Sequence, residues 1–146
     1  MPVNWRKAQR KAANTARWAV TMTKVRIRRV ASRTHWHLIT FGGKTGGESV
    51  GVVDLLAVRK DHGRPVGGVK RGDTLQLILI QVKGGGAANP TAEDATRLRA
   101  VAKRHRARHI LLATWKRGMA AKLFRLQRSS ARHQWAEVTD LDAVFR

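Results

Sequence analysis

Two apolar runs joined by a helical pattern constrain the fold of this chain more than any other feature. Residues 74–83 read TLQLILIQVK, and residues 109–115 read HILLATW. Runs of this length, nearly continuous in apolar residues, are typical of strands that are buried on both faces of a sheet. A helical pattern lies between them, so we expect a strand–helix–strand unit. Such a unit joins two parallel strands through a right-handed crossover.

The start of the intervening helix is marked by the residues around position 91. Pro90 pre-sets the backbone at the helix entry, and Thr91 with Asp94 has the spacing of a capping box. Beyond this point apolar residues recur every three or four positions, with most Lys and Arg residues between them. We therefore expect an amphipathic helix with a basic outer face.

Shorter strand patterns lie on either side of this unit. Strands are predicted upstream at 35–41 and 50–58, and a hairpin partner for the second apolar run is predicted at 121–127. The three strands up to residue 83 are expected to be antiparallel, and the acidic tail at 135–145 is expected to add a short strand or helix. The predicted fold class is α/β, with a mixed central sheet of about five strands flanked by helices in the order α-β-β-β-α-β-β.

The N-terminal segment differs from the rest of the chain in its charge. Residues 1–34 contain ten Lys or Arg residues and no acidic residue. Apolar positions at spacings of three and four predict a helix over about 4–22, and the β-branched residues at 21–27 predict that it weakens there. With 146 residues and no linker, we expect a single domain, made of a basic helix or arm (1–34) and an α/β core (35–146).

The overall charge indicates the kind of partner. Lys and Arg number 30 against 9 Asp and Glu, which is a formal net charge of +21. A charge of this size on a small body opposes folding and is readily explained by contacts with phosphates, so nucleic acid is the expected partner. The hydrophobic content of 42% is too high for a disordered basic tail.

Several classes of protein are excluded by residues that the sequence lacks. There is no cysteine, which excludes disulfides, thiol chemistry and cysteine-ligated zinc. No apolar stretch reaches the roughly 18–20 residues of a membrane span, and the N-terminus lacks the apolar core of a secretory signal. We therefore expect a cytoplasmic protein with no membrane partner; a nucleoid-associated or phage-encoded protein is compatible with this.

Polar residues interrupt the apolar strands at three positions. Asp54 lies in a nearly continuous apolar run, and Gln81 and Lys83 interrupt the strand at 74–83. The pleat of a strand places Gln81 and Lys83 on the same face, roughly 6–7 Å apart. If the strand with Asp54 lies beside this one, a carboxylate, an amide oxygen, an ammonium group and the Val82 carbonyl converge. Oxygen donors of this kind suit Mg²⁺ or Mn²⁺.

These residue types fit the hydrolysis of a phosphodiester bond, which needs a hard cation and a positive group near the phosphate. Glu48, at the end of the Gly-rich turn 42–48, is a candidate further ligand or a plain loop acid. Taken singly, Asp54 is also explained as a turn cap or a partner of an arginine, and Lys83 as a strand-end lysine that reaches solvent. Their order and spacing favour the metal site.

The layout of residues 35–127, with Val-Asp at 53–54 and Gln-Val-Lys at 81–83, resembles the PD-(D/E)XK nuclease superfamily, and within it the short archaeal-type Holliday junction resolvases. The resemblance implies a restriction-endonuclease-like core. It also implies that Asp54 is the metal-binding aspartate, that Gln81 occupies the second acidic position and that Lys83 is the catalytic lysine.

The sequence departs from the family pattern in two ways. Gln81 replaces the usual Asp or Glu, which removes one negative charge from the site and should weaken cation binding. The family often supplies a glutamate from its first helix, whereas no acidic residue precedes Glu48 here. Either Glu48 takes that place or the site has fewer carboxylates.

The function implied is a Mg²⁺- or Mn²⁺-dependent, structure-selective DNA endonuclease that cuts branched DNA such as Holliday junctions. Its ligands would be Asp54, Gln81, the Val82 carbonyl and Glu48, and two symmetric nicks would require a homodimer. Two alternatives stay open: a nuclease of the same fold in repair, restriction or transposition, and a non-catalytic nucleic-acid-binding module. The basic residues expected to clamp the phosphates are Arg26, Arg28, Arg29, Arg33, Lys44, Arg59, Lys60, Lys70 and Arg71.

Histidine and tryptophan carry weaker signals. His35 and His37 fall on one strand face, where we expect a polar surface or a phosphate contact. The five Trp residues are expected to be core or packing residues rather than platforms on which bases stack, and Trp36 is expected near the proposed cleft.

Overall fold

The described residues form a six-stranded mixed sheet at the centre of the protein. The computed structural model describes residues 3–41, 51–85, 90–127 and 134–146. The strands are β1 (His37–Thr40), β2 (Leu55–Lys60), β3 (Leu75–Gly84), β4 (His109–Trp115), β5 (Lys122–Leu126) and β6 (Trp135–Glu137), and they lie side by side in chain order. The helices are α1 (Trp5–Ala31), α2 (Ala92–His105) and α3 (Leu141–Val144), with a 3₁₀ turn at Ser32–Thr34.

The predicted fold class is confirmed. Strands β3 and β4 pair in parallel across the α2 crossover, while the other neighbouring strands of the sheet pair antiparallel. The order of elements expected for a restriction-endonuclease-like core is therefore present. The acidic tail forms both a strand, β6, and the short helix α3, so the sheet has six strands within the described ranges instead of about five.

Helices cover both faces of the sheet. On one face Ile78 and Ile80 of β3 pack with Ile27 of α1 and with Phe145, which follows α3. On the other face Leu79 packs with Leu98 of α2. Because successive side chains of a strand point to opposite faces, β3 contributes to both apolar layers, which explains why its sequence is nearly continuous in apolar residues.

Helix α1 is longer than predicted. It runs through the β-branched residues to Ala31 rather than weakening after residue 22. Thr23 and Ile27 are almost fully buried, and the Thr23 hydroxyl donates to the Ala19 carbonyl (2.7 Å) and accepts from the Trp115 indole nitrogen (2.7 Å). Burial against the sheet outweighs the small intrinsic preference against β-branched residues in helices.

The capping box predicted for α2 is confirmed. The Thr91 hydroxyl accepts from the Asp94 amide (3.1 Å), and the Asp94 carboxylate accepts from the Thr91 amide (3.1 Å). These bonds satisfy donors that the first turn of a helix otherwise leaves unpaired. Among the residues described, no helix is both long and apolar enough to cross a membrane.

Trp36 has the predicted core role but not the predicted location. Its indole nitrogen donates to the Phe145 carbonyl (2.9 Å), and its ring packs edge-on against that of Phe145. Trp36 precedes the first residue of β1, whereas Asp54 precedes β2 at the other end of the β1–β2 pair, where Thr40 faces Leu55. The antiparallel register thus separates Trp36 from Asp54. Trp18 is half exposed but packs edge-on against Trp115, with the ring centres 5.4 Å apart, whereas Trp5 is 73% exposed and does not fit the predicted core or packing role.

Candidate metal and nucleic-acid site

The candidate site lies where β2 begins and β3 ends. The two strands are antiparallel with Leu55 opposite Ile80, so Asp54, one residue before β2, comes level with Gln81. The Asp54 amide donates to the Ile80 carbonyl (3.0 Å), and its carboxylate Oδ2 accepts from the Val82 amide (2.7 Å). Main chain and side chain together therefore hold Asp54 beside the end of β3.

The main chain of Val82 is directed towards the same place. Along a strand, the N–H and C=O groups of one residue point to one side, and those of the next residue point to the other side. The Val82 amide binds Asp54, so the Val82 carbonyl is also directed to the β2 side. Since the ladder between the two strands ends at Leu55, this carbonyl lies beyond the paired residues, on the side of Asp54.

Gln81 is the most unusual residue of the site. Its side chain is 5% exposed, and its Oε1 is buried without a hydrogen-bond partner among the residues that the structure describes. It lies on the face of β3 that Leu79 shares with α2, level with Leu112 of β4. A buried acceptor without a partner costs roughly 1–3 kcal/mol. An amide oxygen in this position is suited to accept a cation.

Lys83 follows Gln81 on the same face of β3, as predicted from the strand period. It is half-buried and lies opposite Thr114 of β4. The alternation of the strand separates the two β3 side chains by roughly 6–7 Å. The structure therefore brings Asp54, Gln81 and Lys83 to one end of the β2–β3 pair.

The end of β3 lies directly against α1. A Cβ atom on Gly84 would come within 2.8 Å of the Ala19 Cβ and 3.5 Å of the Thr15 carbonyl oxygen. Gly85 has a φ of +63° and would place a Cβ 3.0 Å from Thr15. Sequence reasoning missed this packing, because a glycine run indicates a turn more readily than a close helix contact.

The oxygen donors of the site fit a hard cation. Within the described ranges the donors are the Asp54 carboxylate, the Gln81 amide oxygen and the Val82 carbonyl, and such oxygens are ligands for Mg²⁺ or Mn²⁺. No group of three His, Cys, Asp or Glu side chains that could hold a metal occurs among the residues described. The described donors at Asp54, Gln81 and Val82 include a single carboxylate, so they do not form a group of three such side chains. The predicted residues Glu48 and Lys44 lie outside the described residues.

A cavity of about 380 Å³ adjoins the site and adds a basic residue that sequence reasoning did not select. Val52 and Val53, immediately before Asp54, form part of its wall, together with Phe41 and with Arg97 of α2. The Arg97 guanidinium lies 3.9 Å from the Asp94 carboxylate. The sequence predicts only a basic outer face for this helix; the packing of α2 on the sheet places Arg97 close to the residues before Asp54.

The basic residues predicted to contact DNA are distributed over two regions. Three lie in the last part of α1 and one in the 3₁₀ turn, and all four are exposed: Arg26, Arg28, Arg29 and Arg33. The others that the structure describes lie at the end of β2 and in the following loop: Arg59, Lys60, Lys70 and Arg71. This second group occupies the end of the β2–β3 pair opposite Asp54 and Gln81. Their contact with DNA stays a prediction.

Arg59 is already engaged within the protein. Its guanidinium donates to the Gln76 side chain (2.7 Å) and to the carbonyls of Thr34 (3.1 Å) and Arg146 (2.8 Å), and it stacks 4.4 Å from the ring centre of Trp36. Burial lowers the pKa of Arg59, as does the nearby charge of Arg108. These contacts anchor Arg59 between the start of β3, the 3₁₀ turn and the last residue of the sequence.

The fold and the polar residues at the end of β3 define an α/β protein with a candidate oxygen-donor metal site. No family model and no curated protein matches the chain. Among solved structures, the chain is similar to Archaeoglobus fulgidus Hjc, a Holliday junction resolvase from an archaeal hyperthermophile. The match has 17% sequence identity and a TM-score of 0.39, and it covers 85% of this chain and 92% of that one. Because few residues are shared, the function of this chain has to be inferred from its own side chains.

Proposed function

We propose that this protein is a metal-dependent DNA endonuclease of the PD-(D/E)XK type. The observation that supports the proposal is the meeting of the Asp54 carboxylate with the end of β3, where the buried Gln81 oxygen has no partner among the described residues. Lys83 on the same face adds a positive charge. A carboxylate, an amide oxygen and an ammonium group at one strand end are the parts that phosphodiester hydrolysis needs.

Each residue has a distinct role in this proposal. Asp54, Gln81 and the Val82 carbonyl would hold Mg²⁺ or Mn²⁺, with Glu48 as a further predicted ligand. When bound, such a cation polarises the phosphate and lowers the pKa of a water molecule. The Lys83 ammonium orients the attacking water and stabilises the negative charge that develops on the phosphate oxygens.

The proposed substrate is branched DNA, with the Holliday junction first. The excess of Lys and Arg favours contacts with phosphates, which fix the position of a duplex without reading its bases. An enzyme that recognises the shape of a junction needs contacts of this kind. Resolution requires two symmetric nicks, so we propose that a homodimer is the active form.

The test is a nicking assay on a synthetic four-way junction with Mg²⁺, Mn²⁺ or a chelator. Wild-type protein should nick in either metal and not in chelator. Asp54→Ala and Lys83→Ala should abolish nicking yet bind the junction in chelator, whereas Lys103→Ala, an exposed residue in the last turn of α2, should keep both activities. Nicking by Asp54→Ala at the wild-type rate would refute the assignment of the site.

The choice of substrate needs a separate comparison of four-way junction, flap, nicked and linear duplex DNA. Preferential, symmetric cutting of the junction supports a resolvase. Cutting of linear duplex alone would reject it in favour of a repair, restriction or transposition nuclease of the same fold.

A non-catalytic nucleic-acid-binding module is the second candidate, and Gln81 is the observation that favours it. An amide at the second acidic position removes a negative charge that would attract a cation. If wild-type protein binds DNA without nicking in any metal while Gln81→Glu gains metal-dependent nicking, the chain is a binding module on a nuclease fold. Nicking by the wild-type protein excludes this alternative.

A further inference from the structure

A basic groove lies at the end of the β2–β3 pair opposite the candidate metal site. It has a volume of about 910 Å³, and its wall comes from the 3₁₀ turn, the start of β1, the end of β2, the following loop and the start of β3. The exposed groups that can carry positive charge around it are His35, His37, Lys60, His62 and Arg71. We call it the far groove.

The acidic residue in the wall of the far groove is used internally. Asp61 accepts a hydrogen bond from the Gly63 amide through Oδ1 (2.8 Å), and its main chain bonds to Thr74 and Gly72. Its carboxylate therefore stabilises the loop between β2 and β3. Among the wall residues that the structure describes, the remaining charged or titratable groups are Lys, Arg and His, so the groove favours an anion.

The wall of the far groove is held in place by bonds within the protein. Arg59 donates to Gln76, to the Thr34 carbonyl and to the Arg146 carbonyl, which ties the 3₁₀ turn to β2 and β3. The Arg71 Nε donates to the His62 carbonyl (2.9 Å), so this side chain is fixed across the loop. In the part of the chain that the structure describes, the two terminal nitrogens of Arg71 have no partner. A guanidinium held in this way is suited to a phosphate.

The far groove also favours one kind of phosphate ligand. Its described wall contains no Trp or Phe; the aromatic rings there are the imidazoles of His35, His37 and His62, which offer less stacking area, and the cationic groups come from separate elements. Recognition of a free nucleotide or of splayed bases uses aromatic platforms, but recognition of a nucleic-acid backbone needs only spaced cations. From Asp54 to Lys60 the strand spans roughly 20 Å, which separates the two sites.

We infer that the far groove binds the phosphodiester backbone of nucleic acid, as a contact separate from the Asp54–Gln81–Lys83 site. This inference does not rest on the proposed endonuclease activity, because binding here needs neither a metal nor strand cleavage. A protein without any nuclease activity would still bind backbone phosphates through Lys60 and Arg71.

The experiment measures the binding of a short duplex DNA in chelator as a function of salt, for two double variants with the same change of charge. Lys60→Gln with Arg71→Gln removes two exposed cations from the far groove, and Lys103→Gln with Arg104→Gln removes two exposed cations at the end of α2. Each phosphate contact contributes about 0.9 to the slope of log K against log salt. We expect the groove variant to decrease the magnitude of this negative slope by about two, and the α2 variant to decrease it by less.

Two outcomes would overturn the inference. An equal decrease in the magnitude of the salt slope in both double variants would mean that net charge alone determines binding. Displacement of the duplex from wild-type protein by millimolar nucleoside monophosphate, with no such effect on the groove variant, would mean that the groove is a small-ligand site.

A second measurement needs no substitution of a groove cation. The ring signals of His35, His37 and His62 in NMR spectra should shift when the duplex is added to the wild-type protein in chelator. Unchanged ring signals at saturating duplex would also overturn the inference. Nicking of the four-way junction by each double variant is measured separately. A wrong inference about the far groove is therefore distinguished from a wrong proposal of nuclease activity.

Discussion

The Asp54 carboxylate accepts a hydrogen bond from the main-chain amide of Val82 over 2.7 Å. This contact joins two strands just beyond the point where their ladder of paired residues ends at Leu55 and Ile80. The side chain thus takes the place of a further main-chain partner for β3. It also holds a negative charge level with Gln81, whose oxygen has no partner among the described residues, so the same residue contributes to stability and to the proposed chemistry.

Substitution of Asp54 separates these two contributions. Asp54→Ala removes the acceptor for the Val82 amide and should lower the free energy of unfolding by roughly 1.5–3 kcal/mol, because a hydrogen bond to a charged group is lost. Asp54→Asn keeps an acceptor oxygen and should lower it by less, while still abolishing nicking. Urea unfolding in chelator measures both effects. Equal stability of the alanine and asparagine variants would contradict a stabilising bond to Val82.

Removal of the Gln81 side-chain oxygen should stabilise the protein but abolish its proposed activity. Gln81→Met has a similar shape without the buried oxygen, which has no partner in the described ranges, so it should raise the free energy of unfolding by on the order of 1 kcal/mol and abolish metal-dependent nicking. Gln81→Glu buries a carboxylate and should lower stability in chelator. The glutamate should also reduce the Mg²⁺ concentration that gives half-maximal nicking.

Thermal unfolding with and without Mg²⁺ measures the response of Gln81→Glu directly. A larger metal-induced rise of Tm in this variant than in the wild type supports a cation at position 81. The prediction fails if Mg²⁺ leaves the Tm of Gln81→Glu unchanged, or if Gln81→Met is less stable than the wild type.

Gly84 should tolerate a methyl group only if Ala19 is reduced in size. Gly84→Ala places a Cβ 2.8 Å from the Ala19 Cβ, and such overpacking should cost roughly 1–3 kcal/mol. Ala19→Gly alone should cost about 1 kcal/mol of helix propensity. In the double variant the clash is removed. Its decrease in the free energy of unfolding should therefore be smaller than the sum of the two single decreases, by roughly 0.5–3 kcal/mol. Additive losses in a denaturant-unfolding cycle would show that the two residues are not in contact.

The Thr23 hydroxyl should be required for the packing of α1 on β4. Thr23→Val keeps the shape but leaves the Trp115 indole nitrogen without its acceptor, which should cost roughly 1–3 kcal/mol. Thr23→Ser keeps the hydroxyl and loses one methyl group, so it should be the more stable of the two variants. Guanidinium unfolding of both proteins provides the measurement. A valine variant as stable as the serine variant would rule out a net contribution from this bond.

Local patterns in the sequence were sufficient for the elements around the candidate site. The strand periodicity of residues 74–83 and the capping box at Thr91 are properties of neighbouring residues, and both predict the structure correctly. The same periodicity selects Gln81 and Lys83 as residues of one face. Asp54 was selected because an acidic residue in an apolar run needs a compensating partner.

Other features depend on residues that are far apart in the chain. The extension of α1 depends on the burial of Ile27 against the sheet, and the sixth strand depends on the pairing of residues 135–137 with β5. The wall of the far groove brings the 3₁₀ turn next to β2, and Arg59 joins the two by donating to the Thr34 carbonyl.

The sequence by itself determined the strand–helix–strand unit, the basic character of the chain and the polar residues within its apolar strands. These features follow from the spacing and charge of side chains that are close together in the sequence. Only the tertiary structure decided that Asp54 binds Val82, that Gly84 lies against Ala19 and that the candidate metal site and the far groove lie at opposite ends of one strand pair. Each of these depends on strand register and helix packing, which arise from the simultaneous burial of distant apolar residues and are encoded in no single segment.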